Sequence, residues 1–219
     1  SWHNPHHWYR TNIVAKAKLY DYLSKNRKFK KYIRISTPEA IGHVKGFISE
    51  DMKSKPSTPY GISHLAADLT LQAYYKFNKF PFVISRFSNF HGPHQQLHRI
   101  IPKTLYCIFN KKKLLLHGGG KSLRSFIYID DFCEGIYQSM KKGRLGETYN
   151  FTNREYVSIA WLVKKICLLT STNFNKLVKI TKDRPTKDHS YKMDPTKAEK
   201  AFNWKPKYSI EEGLKKTID

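Results

Sequence analysis

The chain has 219 residues, 40% of them apolar, and carries 40 basic against 17 acidic side chains for a formal net charge of +23. That length and apolar share suffice for a buried core in one large α/β domain, or a domain with a small lobe. No window approaches eighteen uninterrupted apolar residues, so no membrane-spanning helix and no membrane partner is expected. The opening SWHNPHHWYR lacks both the apolar run of a signal peptide and an initiator methionine, so a cytoplasmic protein, and a fragment of a longer one, is expected. Cys107, Cys133 and Cys167 are odd in number and widely spaced, which argues for three buried reduced thiols rather than a disulfide framework or a CxxC metal site. His3, His6 and His7 crowd the N-terminus without a carboxylate or cysteine at ligand spacing, so no metal is expected. The positive charge comes from 31 lysines and 9 arginines spread along the whole chain in pairs such as Lys30-Lys31, Lys141-Lys142 and Lys215-Lys216. A DNA groove contact favours arginine forks, so compositional drift is the better account and no nucleic-acid partner is expected. Such a surface still attracts a doubly anionic small substrate.

In chain order, residues 9–27 read as a helix with Ile13, Ala17 and Tyr20 on one face, followed by the apolar-rich strand FKKYIRIS ending at Ser36. Residues 36–58 are a loop rich in Ser, Thr, Pro and Lys. Leu65, Ala66, Leu69 and Ala73 then repeat at helical spacing over 60–79, and the strand FVISRFS follows at 82–88. A helix around 97–110 holds Pro102 in its first turn or at a kink, and the strand LLLH leads into Gly118, Gly119 and Gly120 ahead of the strand SFIYI. Because the three glycines separate two strands, a hairpin turn is the expectation. Asp131 and Glu134 read as a capping box, with Gly143 closing that helix. After a strand at 147–152, Ser158 caps an apolar helix, Asp194-Pro195 starts another, and Ser209 with Glu212 makes a second capping box for a last helix running to Asp219. This alternation predicts an α/β fold built on a parallel sheet, with a smaller mixed lobe after about residue 92.

Five ordered blocks carry the chemistry: STPEAIG (36–42), PYGIS (59–63), SRFSNFHGP (85–93), GGGKSLRSFIYIDD (118–131) and DRPTKDHSY (183–191). Together they resemble the extended short-chain dehydrogenase/reductase family and its NAD-dependent nucleotide-sugar epimerases and dehydratases, most closely the dTDP-glucose 4,6-dehydratases. The resemblance covers nearly the whole chain. It implies a partial Rossmann-like, doubly wound sheet over residues 1–91 and a mainly substrate-binding lobe over 92–219, with some segments returning to the sheet. It also implies NAD as cofactor, a nucleoside-diphosphate sugar as substrate, and a homodimer joined through the helices at 9–27 and 60–79.

A GxxGxxG-type turn opening a helix after a first strand would hold the cofactor's pyrophosphate. None of the chain's glycines makes one, and by the resemblance Ser1 falls where the family has already completed its first βαβ units. The isolated chain is therefore expected to bind NAD weakly or not at all, to leave the strand at 29–35 with an unpaired apolar edge, and to tend to aggregate.

By the same resemblance Tyr60, as phenolate, takes the proton from the sugar C4 hydroxyl. A free phenol, with a pKa near 10, is a poor base at neutral pH, and the family places a lysine four residues on whose charge favours phenolate. Here that position holds His64. If the lysine supplies about 3 pKa units, its loss costs about 4 kcal/mol, on the order of a thousandfold in rate. His64 recovers part of this only as imidazolium, which near pH 7 needs a partner that raises its pKa.

The second departure lies in the family's Thr-Asp-Glu triplet: Thr37 and Glu39 match, while Pro38 replaces the acid that protonates the departing C6 hydroxyl. Elimination then needs another donor, or the chain is a related 4-epimerase or UDP-glucuronate decarboxylase. A third alternative is a catalytically impaired homologue kept for binding or oligomerisation. On the substrate side Asn89 is implied to touch the sugar or its phosphate, and Arg124 and Arg184 to grip the diphosphate. Charge-assisted bidentate bonds to phosphate suit arginine. Asp188 and Tyr191 belong to the same terminal block.

Overall fold

The computed structural model describes residues 1–26, 28–183 and 190–218. The chain opens with α1 (Pro5–Tyr9), a π-helical turn (Arg10–Val14) and α2 (Ala15–Lys25), which run on without a break because each junction residue keeps right-handed helical angles. The helix starts four residues before the sequence expectation, with Pro5 in its first turn, where a missing N–H costs nothing. Tyr20 is its fully buried residue. Strand β1 (Tyr32–Ser36) is shorter than expected, because Phe29 leaves the strand line to pack against Phe80 at 5.5 Å. A 3-10 turn (Pro38–Ala40) follows, then the long α3 (Pro59–Asn78), capped by the Thr58 hydroxyl and ended by Lys79 in the left-handed region.

Next come β2 (Phe82–Phe87), β3 (Asn89–His91), α4 (Ile100–Phe109), β4 (Leu114–His117), β5 (Leu123–Arg124), β6 (Phe126–Tyr128) and α5 (Ile129–Lys142). The chain finishes with β7 (Thr148–Phe151), β8 (Val157–Ser158), α6 (Ile159–Leu169), α7 (Phe174–Leu177), β9 (Val178–Thr181), α8 (Thr196–Phe202) and α9 (Ile210–Ile218).

Among the described residues the main sheet is parallel with the order β1-β2-β7, pairing Ser36 with Arg86 and Phe87 with Phe151. Strand β2 lies at its centre and is buried along its whole length, as expected of a strand covered on both faces. Its residues alternate between two cores. Phe82 and Ile84 pack with Tyr20, Leu71 and Phe80 beneath α2 and α3; Val83 and Phe87 pack with Phe132, Phe151, Ala198 and Phe202 beneath α5 and α8. Helices on both faces of a parallel sheet make this a partial Rossmann-like α/β fold. Strand β1 is paired on one side by β2, and Ile35 stays 42% exposed. A separate apolar core joins α4, α6 and α9 through Ile101, Leu162, Ile166, Ile210 and Leu214. No helix among the described residues is long and apolar enough to cross a membrane.

Three expectations are corrected. The glycine triplet is no hairpin: β4 pairs in parallel with β9, and β5 pairs antiparallel with β8, while Gly118, Gly119 and Gly120 all take positive φ in a tight 3-10 turn. Asp131 does not cap α5, which starts at Ile129; its carboxylate instead accepts from the Lys207 and Tyr208 backbone N–H groups at 2.9 and 3.2 Å, tying α5 to the segment ahead of α9. Cys107 and Cys167 are buried thiols, but Cys133 is exposed. The Ser209–Glu212 capping box is present, with reciprocal bonds of 2.8 and 3.2 Å.

Candidate active site

Parallel pairing puts the C-terminal ends of β1, β2 and β7 along one edge of the sheet, the edge where open α/β sheets bind ligands. Thr37 follows β1 directly and Asn89 lies just beyond the end of β2. The STPEAIG block turns at once into the 3-10 turn, where the Thr37 hydroxyl accepts from the Glu39 N–H at 3.4 Å. Helix α3 begins against this turn. Thr58 Oγ1 accepts from the Gly61 N–H at 3.0 Å, and a Cβ at Gly61 would overlap the Glu39 carbonyl oxygen. Only glycine permits that approach, which seats Tyr60 over Thr37 and Glu39.

Tyr60 is half-buried, its ring edge-on to Trp8 with centroids 4.9 Å apart. Burial first, then the Glu39 carboxylate, push its phenol above the ordinary value, while the Arg99 guanidinium, a hydrogen bond with the Thr37 side chain and Arg34 pull the other way. The Tyr60 hydroxyl is therefore a protonated phenol at neutral pH in the ligand-free chain.

One helical turn on, the His64 ring lies 4.5 Å from the Tyr60 ring, and its Nδ1 is 3.1 Å from Arg34 Nη2. Burial, then Arg34, then Lys16 pull His64 down to about 3, so it is neutral at pH 7 and the imidazolium route is closed. Arg34 is itself held by Asp68, Nε to Oδ1 at 2.9 Å, with both side chains 5% exposed. Asp68 also accepts from the Ser36 hydroxyl. Lys16, half-buried on α2, is pulled down to about 8 by burial and then by Arg34.

Arg34, Asp68, Arg99 and Trp8 escaped the sequence reading. A signal for two of them was present: an arginine inside YIRIS and an aspartate beside Leu65, Ala66 and Leu69 put opposite charges at apolar-stripe positions, and buried charges need partners.

The structure thus brings Thr37, Glu39, Tyr60 and His64 together. Pro38 is buried in the 3-10 turn, and its side chain can give no proton. Asn89 is exposed at the sheet edge. Arg124, on β5, stacks its guanidinium over the buried Tyr191 ring at 4.8 Å and donates to the Leu123 carbonyl at 2.7 Å, so these two expected substrate residues also meet. Arg184 and Asp188 lie outside the described residues.

The profile of a family described as GDP-mannose 4,6 dehydratase matches residues 1–217. The chain belongs to this family. Among the relatives of this family member, a dTDP-D-glucose 4,6-dehydratase of Homo sapiens is 34% identical over 219 residues, covering 96% of the chain and 60% of the human protein. The crystal structure of dTDP-glucose 4,6-dehydratase from Bacillus anthracis, in complex with NAD, superposes with a TM-score of 0.90 at 31% identity, covering 96% of the chain and 67% of that protein. UDP-glucuronic acid 4-epimerase from Bacillus cereus, in complex with UDP-glucuronic acid and NAD, gives 0.89 at 27% identity over 95% of the chain and 66% of that protein. The chain therefore spans about 60% of the length of the curated relatives it matches.

The glycine triplet does not fit the pyrophosphate of NAD: a Cβ at Gly118 would overlap the Asp183 side chain, and the turn leads into β5 rather than opening a helix whose N-terminal amides could hold an anion.

Proposed function

We propose that the chain forms the catalytic and substrate-binding part of an NAD-dependent enzyme that modifies a nucleotide-linked sugar through oxidation at C4, most like a dTDP-glucose 4,6-dehydratase. The observation that carries the proposal is the seating of Tyr60 over Thr37 and Glu39 at the C-terminal edge of the parallel sheet. When bound, NAD supplies a hydride acceptor and a positive nicotinamide ring. Tyr60 is the group that moves the proton of the C4 hydroxyl, Thr37 holds the phenol oxygen by a hydrogen bond, and Glu39 is the base for the C5 proton. Arg124, seated over the Tyr191 ring, is preorganised to meet the diphosphate, and Asn89 lies at the sheet edge for the sugar. Arg184, Asp188 and Tyr191 complete the substrate side of the proposal.

Homodimer formation and a cytoplasmic location belong to the same proposal. Leu69 and Phe77 on α3, 51% and 89% exposed, give the helix an apolar outer face of the kind that marks interfaces. Pro38 favours a second reading, a 4-epimerase or decarboxylase, because neither reaction needs the acid that Pro38 displaces.

Calorimetry of the 219-residue chain with dTDP-glucose and with UDP-glucuronic acid tests the binding half. Saturable binding that Arg124→Ala abolishes and Tyr60→Phe preserves is expected; absence of binding to either sugar nucleotide overturns the proposal. In the whole gene product, Tyr60→Phe should lower turnover by roughly 10²–10⁴, the usual share of general acid–base catalysis. The product decides between readings: a 4-keto-6-deoxy sugar for the dehydratase, the C4 epimer or a released CO₂ for the others.

A further inference from the structure

The replacement of lysine by His64 leaves the site needing a fixed charge and a fixed hydrogen-bond donor beside Tyr60, and the structure carries both in a group 30 residues away in sequence. Residues 60, 64 and 68 lie four apart on α3, so Tyr60, His64 and Asp68 share one helix face. Arg34 spans the last two: Nε meets Asp68 Oδ1 at 2.9 Å and Nη2 meets His64 Nδ1 at 3.1 Å, while Nη1 donates to the Ile35 carbonyl at 2.5 Å. Those three bonds and near-complete burial hold the guanidinium still.

Guanidinium has donors and no acceptor and keeps its charge at every pH a protein survives. A contact between it and His64 Nδ1 therefore requires Nδ1 to be the acceptor, which places the ring's single proton on Nε2. The hydrogen bonds of His64 to described residues use Nδ1 alone, so the Nε2–H is left for an oxygen acceptor of a ligand lying against the Tyr60 ring. We infer that Arg34 is a positioning residue: it fixes His64 as an Nε2–H donor beside Tyr60 and supplies, from behind that ring, the permanent positive charge that an i+4 lysine would carry on its own side chain.

The inference rests on the reading of Tyr60 as the catalytic phenol. It adds a division of labour, in which the donor and the charge sit on two residues from different elements. The groups that face His64 agree with it. On α3 they are Tyr60 and Asp68, on β1 Arg34, and on α2 Lys16. Both cations oppose protonation of the ring, and Asp68 is already committed to Arg34 and Ser36, so no carboxylate competes for Nδ1.

The test is nitrogen-15 NMR of histidine-labelled chain, with His64→Gln used to assign its ring signals. In the wild-type chain without ligand, His64 should show a protonated Nε2, an unprotonated Nδ1, and no titration above about pH 5. In Arg34→Met, which keeps an unbranched stem and removes donors and charge, the ring should become a mixture of tautomers and its titration should move upward from the wild-type value, with burial and Lys16 still holding it below the ordinary histidine value. Arg34→Lys, still a donor-only cation, should hold the Nε2–H tautomer. In the whole gene product, Arg34→Met should lower kcat on the order of tenfold, the equivalent of one pKa unit at Tyr60, with little change in KM.

A wild-type His64 protonated on Nδ1 overturns the inference without any variant. So does an Arg34→Met protein, folded by circular dichroism, whose His64 tautomer and titration match wild type. The expected ring state together with no turnover of any nucleotide sugar supports the inference and counts against the functional reading instead.

Discussion

The two packed regions of this chain use burial for opposite purposes. Between β1 and α3 the interior holds charge and hydroxyl: Arg34 and Asp68 at 4% and 3% exposure, with Ser36, Ser63 and Asn12 around them. Between α4, α6 and α9 the buried cluster is apolar, with Ile101, Leu162, Ile166, Ile210 and Leu214, and the Lys165–Glu211 ion pair joins α6 to α9 at its partly exposed margin. An apolar core holds a lobe together through area removed from water, about 25 cal/mol per Å², and asks little of side-chain orientation. A buried ion pair gives little net stability after desolvation, but it fixes the direction of each donor and acceptor. The chain places the second kind of interior under its proposed catalytic side chains and the first kind under the lobe that presents Arg124.

That contrast can be broken by mutation. Asp68→Ala leaves the Arg34 guanidinium buried without its carboxylate, so chemical denaturation should show a loss of about 3–5 kcal/mol. Accompanying this, the His64 ring signals should change. Leu162→Ala removes a fully buried side chain from the apolar lobe and should cost about 2–5 kcal/mol, at the lower end where the site can collapse, while the His64 ring signals and the affinity of the folded fraction for sugar nucleotide stay as in wild type. Equal disturbance of the His64 signals by both substitutions would mean that the two interiors are not separate in kind.

Acid sharpens the comparison further, because each region buries a histidine. His64 is pulled down to about 3 and His91, buried in the contact between β3 and α9, to about 4 by burial. Both are neutral in the folded chain at pH 5, while in the unfolded chain each binds a proton below about 6.5. The unfolded state then holds more protons, so stability rises with pH from about 3–4 to about 6.5 and is full above that. A loss of about 2 kcal/mol per histidine is expected at pH 5, rising to about 3 kcal/mol at pH 4. His64→Gln and His91→Gln should each flatten one share of that slope in a denaturation series; a slope unchanged in both variants would show that neither ring stays neutral.

The elements of the sheet and its covering helices were legible in the sequence because their signals are local: helical spacing from Leu65 to Ala73, the all-apolar FVISRF, and the Ser209–Glu212 pair. Tyr60, Thr37 and Glu39 were legible through the motif resemblance, and the structure brings them together. Where the reading failed, the deciding partner was distant. Asp131 has the spacing of a cap, yet its acceptors are taken by the backbone of Lys207 and Tyr208. The glycine triplet has the look of a hairpin, yet the partner of β4 is β9, more than sixty residues on. The state of His64 is set by Arg34 at its Nδ1, and no local pattern relates positions 34 and 64.

The π-helical turn at Arg10–Val14 has a consequence for the whole entrance to the site. A π turn accommodates an extra residue in a helix, and here it directs Asn12 inward, where its amide donates to the Ser63 hydroxyl at 3.1 Å. Deleting one residue within that turn would let a regular α-helix close, rotating everything upstream by about 100° about the axis. The indole of Trp8 would swing off the phenol of Tyr60, stripping one wall from the acid–base side chain with no atom of the sheet or of α3 changed.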